Sequence, residues 1–430
     1  MALPASPEPS PALRVYFIAC CFPPFGRGNS VTNACVANGL AEDLAVEVIC
    51  MEQESGLLLS YQQDPSLVAS LHPRLKVHRI RAARWAGLNE VLYAVGLLPC
   101  YYLNWAWKVW RQRHQLFAEP GVLFAVYPVF SDLAIAYWLQ RRYGYPLVID
   151  FRDDFSGVMA RGWRRIFRGV YRWLEGRLLN RAARVTVTTE ALKADLAGRH
   201  QVDPDKIEVV YNIVPTSPSP PKHTENTPLR LVYAGAMSAV QRPEILLQAY
   251  ARLMARRPEL RQRLQVDLYG PDSPYFKLRI RQYLVPGTHF HGFVAHDQVA
   301  ERLRQADLGF LSLGDPIYAY ATPTKLFEYI EYEVPMVGVL PPGASRELIT
   351  RHDLGLVAEV GDVEGLAHCL EQLCCQEALR QRLRANLARV KPLFRPETQL
   401  HKWRVAIEAA AALAVPQPDL VNRLDLVGSP

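Results

Sequence analysis

The chain has 430 residues, half of them hydrophobic and 21% charged, and its 49 basic and 42 acidic residues leave a formal charge of +7. That length exceeds one ordinary core and predicts two domains, while the composition excludes a disordered chain and the charge is too small to require a nucleic-acid partner. The eight cysteines form no Cys-x-x-Cys pair, which argues against a zinc cluster and for reduced thiols in a cytoplasmic protein.

Residues 1–12 are proline-rich and lack both a basic n-region and an apolar h-region, so they read as a flexible leader rather than a signal peptide. From residue 13, short Val/Ile/Leu runs alternate with amphipathic stretches. Strands are predicted at 13–19, 46–50, 75–80, 122–127, 146–151, 184–189 and 207–211, and helices at 30–43, 131–143 and 163–183. Continuous apolar strands separated by helices predict a parallel sheet covered on both faces. The longest apolar run, 91–107, is 17 residues with Pro99 and Asn104 inside it. A membrane span needs ~20 residues, so this run predicts a buried or interfacial helix broken near Pro99.

Residues 213–228 contain five prolines and read as a linker. The alternation then restarts, with strands predicted at 229–235, 264–270, 288–293, 307–313, 335–340 and 355–360. Helices are predicted at 242–256, 275–284, 296–305, 323–332, 344–352 and 364–391. A last helix, 396–414, is expected to return toward the first domain ahead of a flexible tail, 415–430. The fold class is therefore α/β, with two doubly wound, Rossmann-like domains, 13–212 and 229–395, facing across a cleft.

Gly26 and Gly28 follow the first strand and open a helix, where backbone N–H groups and a positive helix end favour an anion. Val31 stands where the third glycine of a dinucleotide fingerprint belongs, which leaves Glu52 as thin support for a nicotinamide site. Asp150, Arg152, Asp153 and Asp154 cluster at a strand's carboxyl end, as a substrate site or as an Arg–Asp pair that fixes a loop. Gly235 ends a strand and Arg242 begins a helix. Lys325 and Glu328 lie three apart on one helix face behind Pro323. A cation for phosphate and a carboxylate for ribose hydroxyls suit a nucleotide, although alone the two also describe a surface ion pair. His289 and His291 read as structural rather than metal-binding.

Four segments in order resemble the GT-B-fold glycosyltransferases of the family 4-like group. They are PPFGRGNSV (23–31), GAMSAVQRPEILLQAY (235–250), FHGFVAHDQVAERLRQADLGFL (290–311) and PTKLFEYIEYEVPMVGV (323–339), the last with a Pro-x-Lys-x-x-Glu-Tyr pattern. The resemblance implies a nucleoside-diphosphate sugar donor, an acceptor hydroxyl on a glycan or a lipid-linked molecule, retention of configuration, and no metal or cofactor. It places Gly26 and Gly28 under the diphosphate, Gly235 at the entry to the donor domain, and Arg242 with Lys325 on the leaving phosphates. Glu328 would hold the ribose, while Gly292, Phe293 and Val294 would border the base. Asp150, Arg152 and Asp153 would face the transferred sugar or the acceptor as catalytic candidates. Two positions depart from the pattern. Tyr320 replaces an acidic residue eight before the ribose glutamate, and Ala236 replaces a basic residue after Gly235. A nucleotide-sugar epimerase of the same fold and a non-catalytic sugar-nucleotide-binding protein remain alternatives.

Residues 161–184 hold eight arginines and one acid, Glu175, so this segment carries the whole +7 and the rest of the chain sums to zero. Trp163, Ile166, Phe167, Val170, Tyr171, Leu174 and Leu178 follow helical spacing. That pattern suits either an anionic membrane surface, with the protein peripheral on its inner face, or a helix packed on its own sheet.

Overall fold

The computed structural model describes residues 13–26, 28–52, 62–82, 86–94, 97, 98, 100–216 and 225–413. The expected linker (213–228) lies only partly within these, and the leader and the 415–430 tail lie outside them.

Strands β1 (Arg14–Ile18), β2 (Ala45–Met51), β3 (Lys76–Ile80), β4 (Val122–Tyr127), β5 (Leu147–Phe151), β6 (Arg184–Val187) and β7 (Ile207–Val209) form one sheet, ordered β3-β2-β1-β4-β5-β6-β7. Strands β8 (Leu229–Ala234), β9 (Leu264–Tyr269), β10 (Thr288–Phe290), β11 (Leu308–Ser312), β12 (Met336–Val339) and β13 (Gly355–Ala358) form the second, ordered β10-β9-β8-β11-β12-β13. All pairings within both sheets are parallel. Each sheet has a switch point where the strand order reverses, between β1 and β4 and between β8 and β11. The loops leaving those carboxyl ends bound a crevice.

The strands carry unbroken apolar runs because both faces are covered; every residue of β4 is buried. One face of the first sheet packs Tyr16, Ile18, Leu123 and Ile149 with Trp105, Leu133 and Leu178 from its helices. The other packs Val15, Phe17 and Phe124 against Val36 and against Trp403 and Ile407. Trp403 and Ile407 belong to the helix Pro396–Ala412, which follows the second sheet in the chain but packs on the first. There Trp403 Nε1 donates to Thr186 Oγ1 (3.3 Å).

The apolar run 91–107 is broken as expected, divided between the helices Ala86–Ala94 and Leu103–Arg111. Elsewhere the local geometry differs from the sequence expectation. The stretch 364–391 is two helices, Val363–Cys375 and Glu377–Val390, because Gln376 is extended (φ −108°, ψ 91°). A π-helical turn, Phe276–Ile280, and a 3₁₀ turn, Arg281–Tyr283, replace the helix expected at 275–284. The basic segment begins as a 3₁₀ turn, Gly162–Phe167, and continues as the helix Arg168–Arg181. Gly162 takes a left-handed φ of 56° at that start, a conformation glycine adopts at little cost.

Candidate functional site

The loop after β1 leads into the helix Gly28–Leu40. Gly26 N donates to Gln62 O (2.9 Å), and a Cβ at Gly26 would stand 3.0 Å from Phe293 Cζ of the second domain. A Cβ at Gly28 would lie 3.4 Å from Thr324 Oγ1, at the first residue of the helix Thr324–Glu331. Two helix N-termini, with their first N–H groups and positive dipole ends, therefore face each other across the crevice.

At the end of β5 the Asp-Phe-Arg-Asp motif separates by depth. Asp150 has no exposed surface and both of its oxygens are engaged: Arg152 Nε donates to Oδ2 (2.7 Å) and Thr186 Oγ1 to Oδ1 (2.6 Å). Grouped from sequence with the catalytic candidates, Asp150 instead holds Arg152 from behind, because its side chain leaves the strand into the covered face. Arg152 Nη1 donates to Asn33 Oδ1 (2.9 Å), and its buried Nη2 has no hydrogen-bond partner among the described residues. Asp153 reaches the crevice and accepts a bond from Tyr320 Oη (3.0 Å). Burial raises its carboxyl above the usual range, against the lowering effects of the Tyr320 bond and Arg152. Asp154 caps the short helix Phe155–Met159 and pairs with Arg199 (2.9 Å).

Across the crevice, Gly235 follows β8 with φ 151°, and a Cβ there would lie 2.5 Å from Lys325 Nζ. That ammonium sits 3.9 Å from the centre of the Tyr233 ring, a cation–π contact. No acceptor among the described residues hydrogen-bonds it. Burial pushes Lys325 down to about 8, with Glu328 pulling it back up. Where the family pattern has a basic residue, Ala236 contributes only its carbonyl, which accepts from Tyr233 Oη (2.6 Å).

Arg242 was expected to begin a helix. It instead lies two residues before the helix Glu244–Arg256, in the left-handed region (φ 42°). Its N–H donates to Ser238 O (2.9 Å), and Val240 O accepts from Gly314 N (2.7 Å), so the loop is tied to the end of β11. Any side chain at Gly314 would collide with the Arg242 stem. Arg242, Tyr275, Arg279, Gly314 and Asp315 line an open depression of about 540 Å³, a size suited to a small-molecule ligand. Glu328 lines a narrower gap with Val214, Pro215, His296 and Tyr332. Gly292 (φ 77°), Phe293 and Val294 form the turn after β10. His291 is occupied by Asp267 (2.8 Å) and stacks on Tyr269. Among the described residues no three His, Cys, Asp or Glu side chains are placed to hold a metal ion.

Several bonds cross the crevice. Besides Tyr320 to Asp153, Thr189 Oγ1 donates to Tyr320 O (2.8 Å) and Asn212 Nδ2 to Thr322 O (2.9 Å). Arg161 pairs with Asp315 (2.6 Å) and donates to Tyr318 Oη (2.9 Å). Asp64 caps two helices at once, accepting from Ser66 N (3.1 Å) on its own side and His296 N (2.7 Å) on the other.

Two family sequence models match adjoining parts of the chain: Glycosyltransferase Family 4 over residues 31–218 and Glycosyl transferases group 1 over 218–390. The chain belongs to the family 4-like glycosyltransferases of the GT-B fold. Among curated relatives it is similar to a D-inositol 3-phosphate glycosyltransferase of Streptomyces scabiei, at 27% identity over 152 residues. That match covers 31% of this chain and about a third (34%) of the relative. Among solved structures, the chain is similar to a sucrose-phosphate synthase of Thermosynechococcus elongatus (TM-score 0.68, 14% identity, 93% of this chain and 99% of that one). It is also similar to Anabaena HepE in complex with UDP-glucose (TM-score 0.64, 14% identity, 93% and 100%). At these identities the structural likeness bears on the fold.

In this chain Gly26 approaches Phe293, Gly28 approaches Thr324 and Gly235 approaches Lys325, while Arg242 opens on the depression beside Gly314. Sequence reasoning missed Tyr233, Gly314, Tyr275, Arg279, Asp64 and Thr189 as parts of the site. Only Gly314 left a local signal, as a Gly-Asp-Pro turn ending a strand. The others act through contacts with residues far away in the chain.

Proposed function

We propose that the protein transfers a glycosyl group from a nucleoside-diphosphate sugar to an acceptor hydroxyl, on a glycan or a lipid-linked molecule, with retention and without a metal ion. One observation carries the reading: the Lys325 ammonium, with no hydrogen-bonding acceptor among the described residues, lies over Gly235 in a crevice onto which two helix N-termini open. Such a site is short of an anion. As the bond from sugar to diphosphate breaks, negative charge grows on the leaving phosphate, and donors placed in advance stabilise it without reorganisation. Lys325, Arg242 and the N–H groups at Gly28 and Thr324 are the candidates for that role, in place of the charge a divalent ion supplies elsewhere. Glu328 is suited to accept two ribose hydroxyls, and the 292–294 turn to border the base. Asp153 and Arg152 stand on the acceptor side, where the oxocarbenium-like sugar would form. An anionic membrane surface met through 161–184 belongs to the same reading as a partner on that side.

The test is a thermal-shift panel of UDP-, GDP-, ADP- and CDP-sugars, followed by product analysis with the stabilising donor. Stabilisation by one nucleotide class and glycosyl transfer with retained configuration are expected, unchanged by chelator. Isomerisation of the sugar without an acceptor would show an epimerase instead, and binding with no turnover a non-catalytic protein.

A further inference from the structure

The apolar residues of 161–184 divide into two sets. Tyr171 and Leu178 are buried and Leu174 packs beside them in the first domain's core. Trp163, Ile166, Phe167, Val170 and Trp173 point outward, Ile166 with 76% of its surface exposed and Trp173 with 56%. Large apolar side chains exposed together, rather than scattered singly, mark an interaction surface. The segment's one acid, Glu175, is fully buried and consumed internally by Arg199 (2.9 Å), His200 (2.6 Å) and Ser156. The outward face of the segment therefore carries arginine and apolar side chains with no negative charge. Arg165, Arg168 and Arg172 are exposed and have no partner among the described residues.

The surface continues past this segment. Arg177 lies over the Trp173 ring (4.9 Å) and beside Tyr137 of the helix Phe130–Tyr143. The next residue on that helix, Trp138, is exposed and meets Trp110 edge-on (6.2 Å). Trp107, exposed on the same helix as Trp110, has Arg111 at 5.1 Å. Arg164 donates to Tyr93 O (2.8 Å), joining the helix Ala86–Ala94, where Leu88 and Val91 are exposed. Four exposed tryptophans, 107, 138, 163 and 173, thus stand on one domain among arginines. Indole rings and arginines together suit the boundary between lipid headgroups and acyl chains, where the rings bury and the guanidinium groups meet phosphate. At the other end of this surface Arg161 grips Asp315 and Tyr318, and Asp315 lines the depression beside Arg242.

We propose that this tryptophan–arginine face docks the protein on an anionic phospholipid bilayer, with the lip of the crevice at headgroup level. Docking stands on the surface alone. That it presents a membrane-borne acceptor to the crevice rests on the transfer reading.

The test is co-sedimentation of the full chain with phosphatidylcholine vesicles, with and without phosphatidylglycerol, at low and high salt. Binding that requires phosphatidylglycerol and falls with salt is expected. The pairs Ile166→Asp with Trp173→Asp, and Arg168→Glu with Arg172→Glu, should each lower binding about tenfold or more with unchanged thermal melting, since all four side chains are exposed. No binding to the anionic vesicles at low salt, or wild-type binding by both variants, overturns the proposal. So does self-association through this face in size-exclusion chromatography without vesicle binding. Vesicle binding by a protein that no nucleotide sugar stabilises would leave docking standing and remove the transfer reading.

Discussion

Lys325 is the residue on which the donor site turns. Its ammonium is held over an aromatic face instead of a carboxylate, and burial lowers it to about 8. Below that pH it is cationic and attracts a diphosphate; above it the charge is lost. The kcat/KM for donor should accordingly fall as pH rises through about 8, and this limb should be missing from Lys325→Ala. Lys325→Ala and Glu328→Ala should each reduce donor turnover at least tenfold, about 1.4 kcal/mol, with circular dichroism unchanged; wild-type rates in both would remove the site assignment. Gly235→Ala tests the same geometry from the backbone side. A methyl 2.5 Å from Nζ displaces the ammonium, and φ 151° disfavours any side chain, costing about 1–3 kcal/mol of stability. Its donor KM should rise as it does in Lys325→Ala.

At the scale of elements, the connection from β11 to the helix Thr324–Glu331 and the helix Arg168–Arg181 each anchor part of the site. Tyr320, on that connection, donates to Asp153 across the crevice, and this bond lowers a carboxyl that burial raises. Tyr320→Phe removes a bond worth about 0.5–1.5 kcal/mol. Its kcat should drop two- to tenfold by that conversion, and the acid limb of the pH–rate profile should move to higher pH. An unmoved limb would show that Asp153 does not titrate in turnover. On the helix, burial opposes ionisation of Glu175, but His200, Arg199 and Ser156 together hold its carboxyl below the ordinary 4.5. Its contribution to stability is therefore present above that pH and is lost as pH falls through the lowered value. Glu175→Ala leaves Arg199 with Asp154 but removes the buried acceptor of His200 and Ser156, and should cost about 1–3 kcal/mol at neutral pH. Urea denaturation at neutral and acid pH should show the gap between variant and wild type narrowing on acidification.

For the whole molecule, the two sheets meet through a few polar contacts at the crevice and through the helix Pro396–Ala412, which packs Trp403 into the first sheet. Asp64, Tyr320 and Arg161 span the crevice, whereas Trp403 lies behind it, an arrangement in which the front can open while the back stays attached. Combining Asp64→Ala with Tyr320→Phe should enlarge the radius of gyration by solution scattering, and a bound donor nucleotide should reduce the difference. Equal values for variant and wild type would show that these bonds do not hold the crevice. Trp403→Ala should instead lower stability by about 3–5 kcal/mol, which thermal melting would register.

The alternation of apolar runs with amphipathic helices was legible in the chain because strand and helix periodicities are local. The two parallel sheets follow from that alternation once short connections and right-handed crossovers apply. The anion-friendly glycine loops and the Pro-x-Lys-x-x-Glu helix were likewise written in neighbouring residues. Depth was not. Asp150 and Asp153 lie three apart in one motif, yet one is sealed behind Arg152 and the other faces the crevice, because the strand ends between them. The tertiary structure alone brought Lys325 over Gly235, set Tyr320 against Asp153, and turned Trp163 and Ile166 outward while Tyr171 and Leu178 turned inward. Each of these depends on which distant element covers a face, and spacing along the chain carries no record of that.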